Sequence, residues 1–481
     1  MPDRFHQHRQ DLATLIGPEA AAYVPAAGET TRNDDVTHEF RQDSSFFFLT
    51  GFDEPDAVAL VVPGHPQGDY HLFVRPRDRE MEIWNGIRAG VEGARERYQA
   101  DRAYDLSELD NQLAPLLAGR STVYYRSGQT AHDSRLTGLV AKARNYRSRT
   151  GKLLPTTIAD LSGPLSDLRL RKRPEEVESL RAACELSLEG HREAMRYARP
   201  GLSERQVQAA MEFIWREGGS PRNGYPSIVA SGPNACILHY VQNDRLIEEG
   251  DLVLIDAACE MDYFSADITR TFPAGGSFSG PQAAVYEVVL AAQMAAIHQA
   301  RPGATMRDLH ETSKRVLTEG LIDLKLLPRG LEDSLAMHHY REFYMHGTGH
   351  WLGMDVHDAG SYRVEGKPRE FEPGMIFTVE PGLYIDQREE IELPLLEYDF
   401  EQWSERILLE GAVAKKELDD LKAGAEKVTH PLPEPFRGIG VRIEDDILIN
   451  TDGHENLTAR LPREIDEVEA LCAETSWLFR S

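Results

Sequence analysis

The chain has 481 residues, 41% of them apolar and 27% charged, a globular mixture with room for two or three domains. Collagen, coiled-coil and intrinsically disordered classes do not fit it. Its 53 Lys and Arg against 79 Asp and Glu give a formal charge of −26, which disfavours binding to nucleic-acid phosphates or to an anionic membrane surface.

The opening MPDRFHQHRQDLATLIG is charged but lacks the apolar stretch and small-residue cleavage site of a secretory signal. No apolar run further along approaches the roughly 18 to 20 residues that cross a bilayer. A cytoplasmic protein with no membrane or nucleic-acid partner is expected. Ala57–Val62 runs into Pro63-Gly64 and Tyr70–Val74 into Arg75-Pro76, so both read as strands closed by breakers, within a mixed α/β domain. The charged stretch Leu168–Arg173 then meets Pro174-Glu175-Glu176, where proline suits a first helical turn and the glutamates its positive end. A boundary near residue 172 divides the chain into domains 1–172 and 173–481.

Beyond it, helical patterns are predicted over Pro174–Tyr197, Glu204–Arg216, Gly280–Ala300 and Met306–Gly320. They are mixed with strand-like runs at Ile228–Ala230, Leu252–Ala257, Ala266–Phe272, Met375–Val379 and Gly440–Ile449. No regular βαβ period links them, so the second domain is expected to be α+β. Residues 386–437 hold 14 acidic and 7 basic residues and one helix-like part near Gln402–Ala425, the pattern of an acidic insertion displayed on the surface. The four cysteines, Cys184, Cys236, Cys259 and Cys472, form no C-x-x-C pair and read as free buried thiols.

The chemistry concentrates in four segments. In DLVLIDAACEMDYFSADITRTF, the apolar run Leu252–Ile255 delivers Asp256 to a strand end, and the run after Ser265 delivers Asp267 beside it. A carboxylate at the end of a buried strand asks for a cation or a donor; a hairpin with two solvated aspartates is the plain alternative. MHGTGHWLGMDVHD places His346, His350 and His357 in a glycine-punctuated loop, where imidazoles serve as metal ligands or near-neutral acids and bases. TVEPGLYI sets Glu380 directly before Pro381, which cannot continue a central ladder. GIGVRIEDDILI reads as one strand with Ile439, Val441 and Ile443 on one face and Arg442 and Glu444 on the other.

Together Asp256, Asp267, His350, Glu380 and Glu444 offer four carboxylates and one imidazole. Oxygen-rich ligation with one nitrogen suits two divalent ions, Mn²⁺ first, with a bridging water acidified toward hydroxide. Three other chemistries fail on spacing. Gly347, Gly349 and Gly353 run G-x-G-x-x-x-G, one residue too long for a dinucleotide fingerprint, and Gly366-Lys367 is followed by Pro368, which breaks the P-loop pattern. No G-x-S-x-G is present.

These segments resemble the pita-bread metallopeptidases, and within them the aminopeptidase P (Xaa-Pro aminopeptidase) family. The similarity runs from RNDDVTHEFRQDSSFFFLTGF at Arg32–Phe52 through CILHY, DAACE, ADITRTFP, HGTGHWLGMDVHD, TVEPGLYI and GVRIEDDI to GHENLTA at Gly453–Ala459. It implies an N-terminal mixed α/β domain followed by a catalytic α+β pita-bread domain. It also implies hydrolysis of the Xaa-Pro bond in peptides with proline in second position, by a bridging hydroxide on a dinuclear centre of Mn²⁺, Zn²⁺ or Co²⁺. By the same resemblance the metal ligands are Asp256, Asp267, His350, Glu380 and Glu444, with Glu380 also handling the water proton. His239, His346 and His357 would hold the scissile carbonyl and the following residue. Arg442, Tyr225 and Asp35 resemble supporting residues of the site, and Trp84 resembles one that a neighbouring subunit contributes in tetrameric members. A homo-oligomer, dimer or tetramer, is therefore expected. The alternatives are prolidase, which shares the fold and the five ligands, and, more remotely, a pita-bread binding protein without catalysis.

Overall fold

The computed structural model describes residues 4–328 and 330–479, and the chain divides into two compact units between Arg169 and Leu170. The first unit is built on a six-stranded mixed sheet. Its strands are β1 (Ala20–Pro25), β2 (Val58–Val61), β3 (Tyr70–Val74), β4 (Arg102–Asp105), β5 (Thr122–Tyr125) and β6 (Thr157–Asp160), in the order β4-β3-β2-β1-β5-β6. β1 pairs antiparallel with β2 and parallel with β5. Every residue of β1, β2 and β3 is buried, which matches their unbroken apolar runs. Asp35 lies exposed in the turn between the short strands Thr31–Asn33 and Val36–Thr37, and Trp84 is 83% exposed on the helix Arg79–Asn85.

The second unit opens with α1 (Pro174–Tyr197), which has proline at its start, Glu175 and Glu176 in its first turn, and the Glu176 carboxylate accepting from the Arg173 backbone N–H at 2.9 Å. Helix α2 (Glu204–Glu217) begins behind a Ser203–Gln206 capping box. A three-stranded antiparallel sheet follows, β7 (Ile228–Ser231), β8 (Leu252–Asp256) and β9 (Thr269–Pro273), with β8 in the middle. Helices α3 (Gly280–Gln299) and α4 (Met306–Asp323) pack on a core that includes Val285, Val289, Leu317, Leu383 and Val441.

The C-terminal strands differ from the sequence reading. The run Gly440–Ile449 is two strands, because the chain changes partner at Ile443-Glu444. In chain order the segment contains β10 (Ile376–Val379), β11 (Gly382–Ile385), β12 (Glu390–Pro394), α5 (Phe400–Glu410), α6 (Ala412–Gly424), β13 (Lys427–Pro431), β14 (Ile439–Arg442), β15 (Asp445–Ile449) and β16 (His454–Asn456). β14 pairs with β11 and β15 with β10.

The helix-like part of the acidic segment is likewise two helices, broken at Gly411, whose φ of +61° a side chain rarely tolerates. The stem beneath them, β12 paired antiparallel with β13, sends Ile391 and Leu393 into the core at 1% and 0% exposure. All four cysteines are free; Cys184 and Cys259 are buried, whereas Cys236 and Cys472 are half-buried. No helix among the described residues is long and apolar enough to cross a membrane.

Candidate active site

The interrupted strands build the site. Val379 pairs with Asp445 and Gly382 with Arg442, so the Glu380-Pro381 step lies opposite the Ile443-Glu444 step and both chains change sheets at one level. Proline supplies no N–H to a ladder, which frees this point. The Glu444 N–H instead bonds the Thr269 carbonyl of β9 at 3.1 Å, linking the two sheets. On β8, Asp256 pairs with Thr269, and Asp267 stands two residues ahead of β9. The glycine loop completes the enclosure: a Cβ on Gly349 would lie 1.8 Å from the Thr378 carbonyl oxygen, so only glycine lets His350 lie against β10. The end of the loop is anchored by Lys172 Nζ on Asp358 Oδ2 at 2.9 Å, both side chains 1% exposed.

The result is a cavity of about 460 Å³. Every candidate residue named from the sequence lines it except Asp35 and Trp84, which belong to the other unit. Asp267, His350 and Glu444 converge, with one donor atom of each within 4.8 Å of the others. His350 Nε2 lies 3.3 Å from Asp267 Oδ2 and 3.6 Å from Glu380 Oε1. Its Nδ1 bonds the Trp351 carbonyl at 3.1 Å, which turns Nε2 toward the carboxylates as the nitrogen that could ligate a metal. The His357 ring meets the His350 ring edge-on at 4.3 Å. Asp256 is turned differently: Tyr225 shares its phenol proton between Asp256 Oδ1 (2.7 Å) and Asp267 Oδ1 (2.6 Å), and Asp256 Oδ2 accepts from Arg442 Nη2. His239 stands on an exposed loop at the cavity wall.

Arg442, 3% exposed, orders much of this arrangement. Its Nε donates to Thr269 Oγ1 at 3.2 Å, and that hydroxyl donates to Glu444 Oε2 at 2.6 Å. Its Nη1 donates to the Tyr384 oxygen at 2.9 Å, so the Tyr384 proton goes to His346 Nε2, also at 2.9 Å. His346 Nδ1–H then donates to the Gly347 carbonyl at 2.7 Å. Burial, and after it the nearby Arg442 charge, hold His346 down at about 3, so its imidazole is neutral, as this donor order requires.

The residues fit divalent cations. Four carboxylates, Asp267 and Glu444 buried and Asp256 and Glu380 half-buried, face one arginine among the lining residues and leave an excess of negative charge, with no thiol in the lining. Burial, and then the neighbouring carboxylates, push Glu444 well above the carboxylate range. Burial raises Asp256 against the pull of Arg442, and lifts Glu380 to about 7. His350 is held up at about 9: burial opposes its charged form, but Asp267 and Glu380 outweigh it. Burial is the first cause of the carboxyl shifts and the crowded carboxylates add negative potential, and an oxygen-rich set with one imidazole suits hard or borderline dications.

Sequence reasoning missed Thr269 and Tyr384. Thr269 had a signal, since it follows Asp267 at the two-residue period of a strand and so shares its face. Tyr384 had none, because its place between His346 and Arg442 depends on the β11–β14 register. Nor did Pro226, Leu238, Val241 and Val356, which form the apolar wall and look like ordinary core in sequence.

Residues 178–451 match metallopeptidase family M24, and residues 5–124 match the aminopeptidase P N-terminal domain. The chain is 36% identical to the Xaa-Pro aminopeptidase of Escherichia coli (strain K12) over 468 residues, 97% of each protein. Among solved structures it resembles the aminopeptidase PepP of Pseudomonas aeruginosa, with a TM-score of 0.87 and 42% identity over 98% of each chain. It also resembles the zinc-substituted E. coli aminopeptidase P in complex with product, with a TM-score of 0.85 and 37% identity over 98% of each chain.

Proposed function

The chain belongs to metallopeptidase family M24, with an aminopeptidase P N-terminal domain ahead of the catalytic one, and from that we propose that it is a metal-dependent Xaa-Pro aminopeptidase. It releases the first residue from peptides with proline in second position. The observation that carries this reading is the convergence of Asp267, His350 and Glu444 on one wall of a cavity that also presents His239, His346 and His357.

We assign the ligands of two divalent ions to Asp256, Asp267, His350, Glu380 and Glu444, and the ions to Mn²⁺, with Zn²⁺ or Co²⁺ as substitutes. Bound there, such ions supply Lewis acidity toward a carbonyl and lower the pKa of water to about 7. The protein's own groups do the rest. Glu380 faces the cavity and accepts the proton of the attacking water. His239 donates to the oxygen on which charge develops, a contact stronger in the transition state than in the ground state. Arg442 fixes Asp256 directly and Glu444 through Thr269, while Tyr384 passes the same order to His346. An Xaa-Pro bond has no amide N–H, so a site that grips the carbonyl side loses nothing, and the apolar Pro226, Leu238, Val241 and Val356 accept the substrate's apolar surface.

The Escherichia coli relative is an Xaa-Pro aminopeptidase matched over 97% of its length, which favours this reading over a dipeptidase, and the presence of all five proposed ligand residues in the cavity lining disfavours a non-catalytic binding protein. We further read the chain as cytoplasmic and homo-oligomeric, a dimer or tetramer. The exposed Ile83, Trp84 and Ile87, at 75%, 83% and 80%, support association through that surface. The test compares kcat/KM of the Mn²⁺-loaded protein on an Xaa-Pro dipeptide and on an Xaa-Pro-Xaa peptide. The longer peptide is expected to be cut at least about tenfold more efficiently, a difference of about 1.4 kcal/mol; preference for the dipeptide would make the protein a prolidase.

A further inference from the structure

The segment that carries His239 has no ladder to hold it: residues 237–245 belong to no helix or strand. Side chains of α2 hold it instead. Glu204, fully buried at 0% exposure, accepts five hydrogen bonds. Its Oε1 takes the Ser231 N–H (2.7 Å), the Ser231 hydroxyl (2.7 Å) and Asn234 Nδ2 (3.2 Å), and its Oε2 takes the Tyr240 hydroxyl (2.8 Å) and the Arg245 N–H (3.0 Å). It therefore grips the segment before, beside and after His239. One turn on, Gln208 Oε1 accepts from Asn243 Nδ2 at 2.9 Å, and the same amide donates to the Ser227 carbonyl at 2.8 Å. A further turn on, Glu212 Oε1 accepts from Gln208 Nε2 (2.9 Å), Asn223 Nδ2 (2.6 Å) and the Ser227 hydroxyl (2.8 Å). Asn223 and Ser227 flank Tyr225.

Glu204, Gln208 and Glu212 are spaced i, i+4, i+8, so they form one stripe on α2. A helix needs no such stripe to pack; apolar residues would serve at lower desolvation cost. The stripe meets two loops that are adjacent to β7 and that both bear residues of the cavity wall. We propose that it is a positioning rail for the reaction: Glu204 sets His239 through Tyr240, Glu212 sets Tyr225 through Asn223 and Ser227, and Gln208 with Asn243 joins the two. None of the three touches the cavity, so they are positioning residues. The inference rests on the role given to His239 above.

The test is a double-mutant cycle on kcat with metal content measured in every variant. Tyr240→Phe removes one oxygen and keeps the ring packed, so it reports even where Glu204→Gln fails to fold. Each change is expected to lower kcat about tenfold in the parent protein at unchanged metal content. In a His239→Ala background, each should alter kcat by less than about twofold, because the group being positioned is gone. A tenfold loss that persists in the His239→Ala background, or a Tyr240→Phe variant within twofold of the parent, overturns the rail. If His239→Ala itself leaves kcat intact, the site reading fails; a large His239→Ala effect beside an inert Tyr240→Phe removes the rail alone.

Discussion

Glu444→Ala is expected to abolish measurable turnover and to reduce bound metal, as followed by peptide hydrolysis and by elemental analysis of the purified variant. Three observations set the size of the effect. Glu444 is 2% exposed, its donor atom stands with those of Asp267 and His350 within 4.8 Å, and its other contact is the Thr269 hydroxyl at 2.6 Å. It therefore has no part in surface electrostatics. A metal centre contributes several kcal/mol to transition-state stabilisation, and each 1.36 kcal/mol is tenfold in rate, so a loss of about a thousandfold or more is expected. Burial and the neighbouring carboxylates push Glu444 well above the carboxylate range, so truncation removes no strong ion pair from the apo protein, and the main defect is expected in metal binding and rate. Wild-type metal content and rate in this variant would overturn the ligand assignment.

His239→Ala tests the opposite half of the site. His239 lies at the cavity wall on a loop of its own and outside the three converging donors, so metal content should not change. Removing one donor to a developing oxyanion costs about a hundredfold to a thousandfold in kcat, and the same loss is expected here with KM little altered. Equal losses in kcat and metal content would make His239 a ligand. An unchanged kcat would remove it from the reaction.

Much of the site was legible because its chemistry sits on strand ends and in a glycine loop, where apolar runs and breakers mark position. Asp256 follows four apolar residues, and Glu380 precedes a proline, so both read as strand termini before any fold is known. The glycines around His350 mark its place, and the structure gives the reason at Gly349, where any side chain would strike the Thr378 carbonyl. What escaped depends on register or on distant segments. A single strand through this run would make Arg442 and Glu444 neighbours on one face, whereas the chain changes partner between them, so one ends β14 and the other leaves the ladder altogether. The link from Arg442 through Tyr384 to His346 joins residues on three segments, and no periodicity within one segment encodes it. The stripe on α2 was hidden for a related reason: Glu204, Gln208 and Glu212 look like an ordinary solvated helix face until the loops around β7 are seen to cover them.

The central claim is a centre of two divalent cations held by these five residues, and a metal titration addresses it most directly. After chelation and dialysis the protein is titrated with Mn²⁺ while bound metal and hydrolysis of an Xaa-Pro-Xaa peptide are recorded together. The expected result is loss of activity on chelation, recovery that saturates at two ions per chain, and no tight site in Glu444→Ala. Full activity in the chelated protein, or saturation that is the same in Glu444→Ala as in the parent, would contradict it.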